Sequence, residues 1–241
     1  MCTVILPTYN EEDNIGRMIV CLLEMYPDAA ILVMDDNSAD NTRSIVEGLM
    51  QKYANVRFIS RDKDDKGLSA SIFHGIMETE TEFFINMDSD FQHPPSAVKD
   101  IFERLSAGAD LVIGVRKDRT ALKFKRWVLS WIVHMMADIT LKFNGKQSSS
   151  DIMSGLFGGR TDLFREVIRT YEKEFERRGF KALFDLLKFA PDGIRIEETE
   201  FEFGKRYGGE SKIGSNILFS LFRQCGRLGK FTAGVLSKIK G

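Results

Sequence analysis

The 241-residue chain contains no long hydrophobic run. A membrane-spanning helix needs ~20 consecutive apolar residues, and the nearest approach, Trp127 to Met136, is too short. Any membrane contact is therefore expected to be lateral. The N-terminus enters a strand-like segment directly, without the basic, apolar and small-residue succession of a secretory leader. Cysteine is scarce: Cys2, Cys21 and Cys225 have neither paired nor metal-ligand spacing, which excludes a disulfide scaffold and fits a reduced, cytosolic setting. Net charge is nearly absent as well. Thirty-five acids oppose 34 bases, so bulk charge gives no reason to expect a nucleic-acid partner. There is no GxxxxGK[ST] phosphate loop and no GxGxxG after the first strand, which disfavours an NTPase and a nicotinamide oxidoreductase. Low-complexity linkers and internal repeats are missing too.

What charge there is lies unevenly. From Ser211 to the C-terminus there is no Asp or Glu, against six bases: Lys212, Arg223, Arg227, Lys230, Lys238 and Lys240. Between Arg116 and Lys146 only Asp118 and Asp138 oppose many bases. Two basic segments on a neutral chain indicate a local anionic partner. Both segments also carry apolar residues at helical spacing, Trp127, Leu129, Trp131, Ile132, Met135 and Met136 in one, Ile217, Phe219, Leu221, Phe222, Leu228 and Phe231 in the other. Basic amphipathic helices of this kind lie in the headgroup plane of a membrane; a core helix and a solvated tail are the plainer alternative.

The first half alternates apolar strand-like runs with amphipathic segments. TVILP, ILVMDD, VRFIS, EFFINMDSD and ADLVIGV read as strands. Glu11 to Met25, Asp40 to Tyr53, Leu68 to Met77 and Pro95 to Leu105 read as helices. This pattern predicts an α/β fold with a mostly parallel, Rossmann-like sheet covered on both faces. In the second half, Lys123 to Phe143, Thr161 to Thr170 and Phe180 to Phe189 read as helices, and IRIEETEFEF as a half-exposed strand. A catalytic domain over 1–212 and a basic amphipathic helical tail over 213–241 are expected. Open α/β sheets bind ligands beyond the carboxyl ends of their strands, and here those ends collect the acids.

Asp88-Ser89-Asp90 with Gln92 follows the strand-like FFINM. In extended backbone, residues i, i+2 and i+4 share a face, so Asp88, Asp90 and Gln92 are expected to offer three oxygen donors to one side. Such donors suit Mg²⁺ or Mn²⁺, which keep waters and bridge to phosphates; a solvated acidic turn is the alternative. Asp35-Asp36 ends another strand, where a carboxylate can accept from a ribose or base or cap the next helix, a task Asp40 could perform alone. At the end of the first strand, Tyr9 offers a ring to a base and Glu11 an acceptor for its N–H, while Glu12 and Asp13 equally suit a helix start. Lys66 and Gly67 open a helix whose free N–H groups would attract an anion. Arg116, Arg119, Lys123, Lys125 and Arg126 form one cluster, and Arg206, Ser211 and Lys212 lie in a Gly-rich loop. Guanidinium groups suit phosphate, though a solvated basic surface would look the same. Asp151, Ser154 and Gly155 combine a carboxylate, a hydroxyl and a turn residue. His74, His93 and His134 have no partner at metal spacing and are expected to be structural.

Taken in order, VILPTYNEEDNI, ILVMDDNSADNT, KGLSASIFHGI, INMDSDFQHPP, LVIGVR, DIMSGLF, GFKALFDLL and FGKRYGGESKIG resemble the polyprenyl (dolichyl) phosphate mannose synthases, inverting family-2 glycosyltransferases of GT-A fold. The resemblance spans about residues 3–225. It implies transfer of a hexose, best matched by mannose from GDP-mannose, onto dolichyl or polyprenyl phosphate at the cytoplasmic face of a membrane. It implies that Pro7, Tyr9, Glu11 and Asp36 hold the nucleoside, with Lys66 and Gly67 near the diphosphate. Asp88, Asp90 and Gln92 would surround Mg²⁺ or Mn²⁺. Arg116, Arg126, Ser154 and Lys212 would serve the acceptor phosphate, Arg206 would contact phosphate oxygens during transfer, and Asp151 with Ser154 would shape the pocket. Small membrane-anchor subunits are compatible partners. Two departures stand out: Ser69 replaces a frequent Gly, and Asp185 a frequent Glu. A UDP-glucose or UDP-N-acetylglucosamine transferase, and a non-catalytic nucleotide-sugar or lipid-binding module, remain open as alternatives.

Overall fold

The computed structural model describes residues 1–62, 65–117, 124–177 and 181–204. The tail at 213–241, with Arg206 and Lys212, lies outside the described residues, as do the side chains of Arg119, Lys123, Lys125, Arg126 and Trp127.

Seven strands form one sheet in the order β3-β2-β1-β4-β6-β5-β7. They are β1 (Cys2–Thr8), β2 (Ala30–Asp35), β3 (Val56–Ser60), β4 (Phe83–Asn86), β5 (Leu111–Arg116), β6 (Phe157–Arg160) and β7 (Ile196–Phe201). All pairs are parallel except the two that β6 makes, with β4 and β5. The helices are α1 (Ile15–Met25), α2 (Thr42–Met50), α3 (Leu68–Glu78), α4 (Ala97–Ser106), α5 (Phe124–Phe143), α6 (Thr161–Tyr171) and α7 (Ala182–Phe189).

Strand alternation divides the core into two layers. Val4, Leu6, Ile31 and Val33 point to the side covered by Met18, Ile19 and Leu22 of α1 and Ile101 and Leu105 of α4. Ile5, Leu32, Met34 and Phe84 point to the side covered by Ile72, Phe73 and Ile76 of α3 and by Phe164, Phe184 and Leu187. With both faces buried, the strands read as unbroken apolar runs, which is why the sequence pattern gave them away.

The strand β6 is a departure from the sequence reading, which names no strand between ADLVIGV and IRIEETEFEF. It has four residues, FGGR, too short and too Gly-rich to carry a period. Its glycines are steric necessities. A Cβ on Gly158 would lie 2.7 Å from Ile101 and 2.8 Å from the Phe84 carbonyl oxygen; one on Gly159 would meet the Phe164 ring at 2.7 Å. The helices begin later than the sequence suggests, at Ile15, Thr42 and Ala97; ahead of α1 and α2 the polar residues 10–12 and 38–42 bond to one another across the two loops.

Candidate active site

Two loops at the carboxyl edge of β1 and β2 are stapled together by their own polar groups. The Asn10 N–H donates to Ser38 Oγ (2.8 Å), and the Ala39 N–H donates to Asn10 Oδ1 (2.8 Å). The Glu11 N–H donates to Thr42 Oγ1 (2.9 Å), and Glu12 Oε2 accepts from both the main-chain and side-chain nitrogens of Asn41. Asp40, expected to cap α2, sits one residue before the N-cap Asn41 and accepts the Thr42 N–H and also the Glu12 N–H. Asn10 and Asn37 take left-handed backbone conformations (φ 52° and 60°), which asparagine tolerates better than most residues. The result is a rim on which Tyr9 remains 42 % exposed, with the Lys66 ammonium 5.0 Å from the centre of its ring. Glu11 faces the same rim, its Oε2 accepting from Asn14 Nδ2 (2.9 Å). Pro7 lies buried at the end of β1.

The two carboxylates of Asp35 and Asp36 differ in role. Asp35 closes its own turn, accepting from the Ser38 N–H at 2.9 Å and from the Ser38 hydroxyl. Asp36 accepts from the buried Arg61 guanidinium, from Ser71 Oγ (2.7 Å) and from the Gly67 N–H (2.9 Å). It therefore fixes the loop that opens α3. Arg61 continues to the Asp65 carboxylate (2.7 Å), and Arg177 grips that carboxylate through two nitrogens. The Arg177 carbonyl also accepts the Ala70 N–H (3.0 Å). Here the helix-start reading is corrected: the Gly67 and Ala70 N–H groups, expected to be open to an anion, are already taken by Asp36 and Arg177.

The Arg177 hydrogen bond, followed by the two guanidinium charges, holds the Asp65 carboxyl below the usual carboxylate range. The stabilisation is present above the unfolded-state value near ~3.9 and is lost as pH falls through the lower folded value. Asp65→Asn is expected to flatten the acid limb of a stability-versus-pH series below pH ~4. A variant whose acid limb matches the wild type would remove Asp65 from that role.

Strand β4 ends at Asn86, whose Nδ2 donates to the Gly155 carbonyl (2.7 Å) and anchors the 151–155 loop beside it. The residues that follow do not stay extended. Asp90 Oδ1 accepts the Gln92 N–H (3.0 Å), and Phe91 is left-handed at φ 63°. Asp88, Asp90 and Gln92 are thus brought to one tip by a tight turn, not by strand alternation. Asp90 is buried, Gln92 half-buried, and the Asp88 side chain 41 % exposed. Among the described residues, no three His, Cys, Asp or Glu side chains converge as a closed cage. The turn supplies two carboxylates and an amide within five residues. That fits a hard divalent ion completing its shell with water and substrate phosphate.

On the far side of the tip stand the cations. Arg116 Nε is buried without a hydrogen-bond partner, 3.9 Å from Asp151 Oδ2, and its guanidinium stacks 4.3 Å above the Phe203 ring. Ser154 is buried; its hydroxyl donates to the Leu156 carbonyl and accepts the Leu156 N–H, so it shapes the loop. Lys181 precedes α7, and desolvation first, then Arg116, pull its pKa down to about 8 against the opposing pull of Asp151 and Asp88. A lysine heading the apolar run ALFDLL was the available sequence signal, and it was not weighted. Sequence reasoning also missed the structural role of Arg61 and Arg177. His93, expected to be structural, is buried with its Nδ1 accepting the Asp88 N–H at 2.9 Å.

An acidic turn near a half-buried arginine and lysine, at the carboxyl edge of a mostly parallel sheet, suits a transfer whose leaving group is a diphosphate. The architecture is that of GT-A glycosyltransferases. Glucosyl-3-phosphoglycerate synthase from Mycobacterium tuberculosis, solved with Mn²⁺, UDP-glucose and phosphoglyceric acid, superposes with TM-score 0.58. The match covers 94 % of this chain and 80 % of that one, at 16 % identity. The chain belongs to Glycosyl transferase family 2, whose sequence profile matches residues 3–168, and it is a glycosyltransferase. Its sequence is 30 % identical to a dolichol-phosphate mannosyltransferase of Mycosarcoma maydis, covering 98 % of this chain and 81 % of the relative. A dolichol-phosphate mannosyltransferase of Pyrococcus furiosus is 31 % identical over 95 % of this chain and 64 % of its own length. An undecaprenyl-phosphate mannosyltransferase of Micrococcus luteus is 28 % identical over 89 % of this chain and 88 % of its own.

Proposed function

We propose that this enzyme transfers mannose from GDP-mannose to a dolichyl or polyprenyl phosphate with inversion at the anomeric carbon. The observation that carries the reading is similarity over most of the chain to relatives named dolichol-phosphate and undecaprenyl-phosphate mannosyltransferase. Pro7, Tyr9 and Glu11 would receive the nucleoside, and Asp36 would act by fixing the Lys66–Gly67 loop beside the diphosphate. Asp88, Asp90 and Gln92 would hold Mg²⁺ or Mn²⁺, which supplies charge neutralisation to the departing diphosphate. Arg116, with Arg126, Arg206 and Lys212, would draw the acceptor phosphate into line behind the sugar C1. Asp151 and Ser154 would set the shape of the loop between the two substrates.

A lipid phosphate is anionic near neutral pH, so no dedicated general base is required; alignment and electrostatic stabilisation are the main tasks. Among the described residues, no helix is long and apolar enough to cross a membrane. The basic apolar segments 116–146 and 213–241 would rest on the cytoplasmic face, as a peripheral contact. Calorimetry with Mn²⁺ should give the tightest binding for GDP-mannose over UDP-glucose and UDP-N-acetylglucosamine. A preference for either UDP-sugar would reassign the donor.

A further inference from the structure

His93 is 1 % exposed and belongs to neither the expected ligand set nor the apolar core. Its Nδ1 accepts the Asp88 N–H at 2.9 Å and lies 3.6 Å from Asp88 Oδ2. The ring is held edge-on by Phe201 (centroids 5.5 Å apart, 75°) and Phe203 (6.0 Å, 75°) at the exit of β7. Phe203 is the same ring on which the Arg116 guanidinium stacks. On its other side, a Cβ at Gly155 would lie 3.0 Å from His93 Cε1, so glycine there leaves room for the imidazole. The turn itself is clamped to the same strand exit. The Gly204 N–H donates to the Gln92 carbonyl (2.9 Å), and a Cβ at Gly204 would strike the Phe91 carbonyl oxygen at 2.5 Å.

From this geometry we infer that His93 is a positioning residue: it fixes the main chain of Asp88, and thereby the carboxylate offered to the cation, against the floor formed by Phe201 and Phe203. The inference rests on the reading of Asp88 as a cation ligand. A nitrogen that accepts an amide proton carries none of its own, so the ring is the neutral tautomer with its proton on Nε2. Asparagine can place Oδ1 where Nδ1 sits and accept the same N–H; leucine fills similar space beside the two phenylalanines but accepts nothing.

The test titrates Mn²⁺ into full-length protein saturated with GDP, reading free Mn²⁺ by electron paramagnetic resonance, with melting temperatures taken in parallel. His93→Leu is expected to weaken Mn²⁺ binding by about tenfold, and His93→Asn to recover most of that loss. Gly155→Ala, which pushes on the ring, is expected to weaken binding in the same direction and serves if the leucine variant does not fold. Wild-type affinity in His93→Leu, or in Gly155→Ala where that variant stands in, overturns the inference; so do equal losses in the Leu and Asn variants. Asp88→Ala is the separating control. If it binds Mn²⁺ normally, the cation assignment fails and the inference with it. If it loses binding while His93→Leu does not, only the role of His93 is lost.

Discussion

Asp90→Asn is expected to lower kcat at least about 10³-fold, about 4 kcal/mol of transition-state stabilisation, while shifting the melting temperature little. Aspartate at this position has two separable tasks. Its Oδ1 closes the turn by accepting the Gln92 N–H, and asparagine can still do that. Its negative charge would face the cation, and asparagine lacks it. Asp88→Ala should behave alike for a different reason: the Asp88 side chain is 41 % exposed, and the His93 ring 3.6 Å away is a neutral imidazole rather than a cation. Little folding energy depends on it, so a loss of activity would report chemistry rather than unfolding. Chelation by EDTA should stop turnover in the wild type, and added Mn²⁺ should restore it. Initial rates and melting curves on the same preparations decide this. An active Asp90→Asn enzyme would remove the cation from the account.

Arg61→Met should be the most destabilising single change outside the apolar core, by about 3–5 kcal/mol. The Arg61 side chain is 1 % exposed and bridges Asp36, Ser71 and Asp65. Removing it leaves the Asp36 carboxylate, itself only 12 % exposed, with its cation gone. Breaking one member of a buried pair costs far more than replacing both with well-packed apolar groups. The double variant Arg61→Met with Asp36→Leu should therefore recover part of the loss. Because Asp36 also holds the Gly67 N–H, donor affinity should fall in both. Urea denaturation of the two single variants and the double variant gives the coupling directly. A loss under 1 kcal/mol in Arg61→Met would mean the network contributes little to stability.

The sheet was readable in the sequence because strands buried on both faces leave continuous apolar runs, as in Val4 to Leu6 and Ile31 to Met34. Strand β6 was not, because its two glycines record close packing against Phe84, Ile101 and Phe164, which are distant in sequence. Asp88, Asp90 and Gln92 were expected to share one side through extended backbone, which the left-handed Phe91 replaces with a turn. Position left Asp35 and Asp36 open between ligand and cap, and only the family resemblance singled out Asp36 for the nucleoside; its hydrogen bonds lead inward to Arg61, Ser71 and Gly67. Periodicity reports burial; it does not report which of two neighbouring carboxylates has found an arginine. His93 was expected to be structural, but what it holds was hidden for a similar reason. Its partners are a main-chain N–H and two phenylalanine rings from the last strand, and none of these forms a spacing that sequence alone displays.

The most direct test is a transfer assay with the purified chain, GDP-[¹⁴C]mannose, Mn²⁺ and dolichyl phosphate in detergent, followed by partition into organic solvent. Label should enter the organic phase only when lipid phosphate and cation are both present, and should be released by mild acid as mannose. Organic-phase label that persists in EDTA, or none at all despite bound GDP-mannose, would contradict a cation-assisted transfer to lipid phosphate.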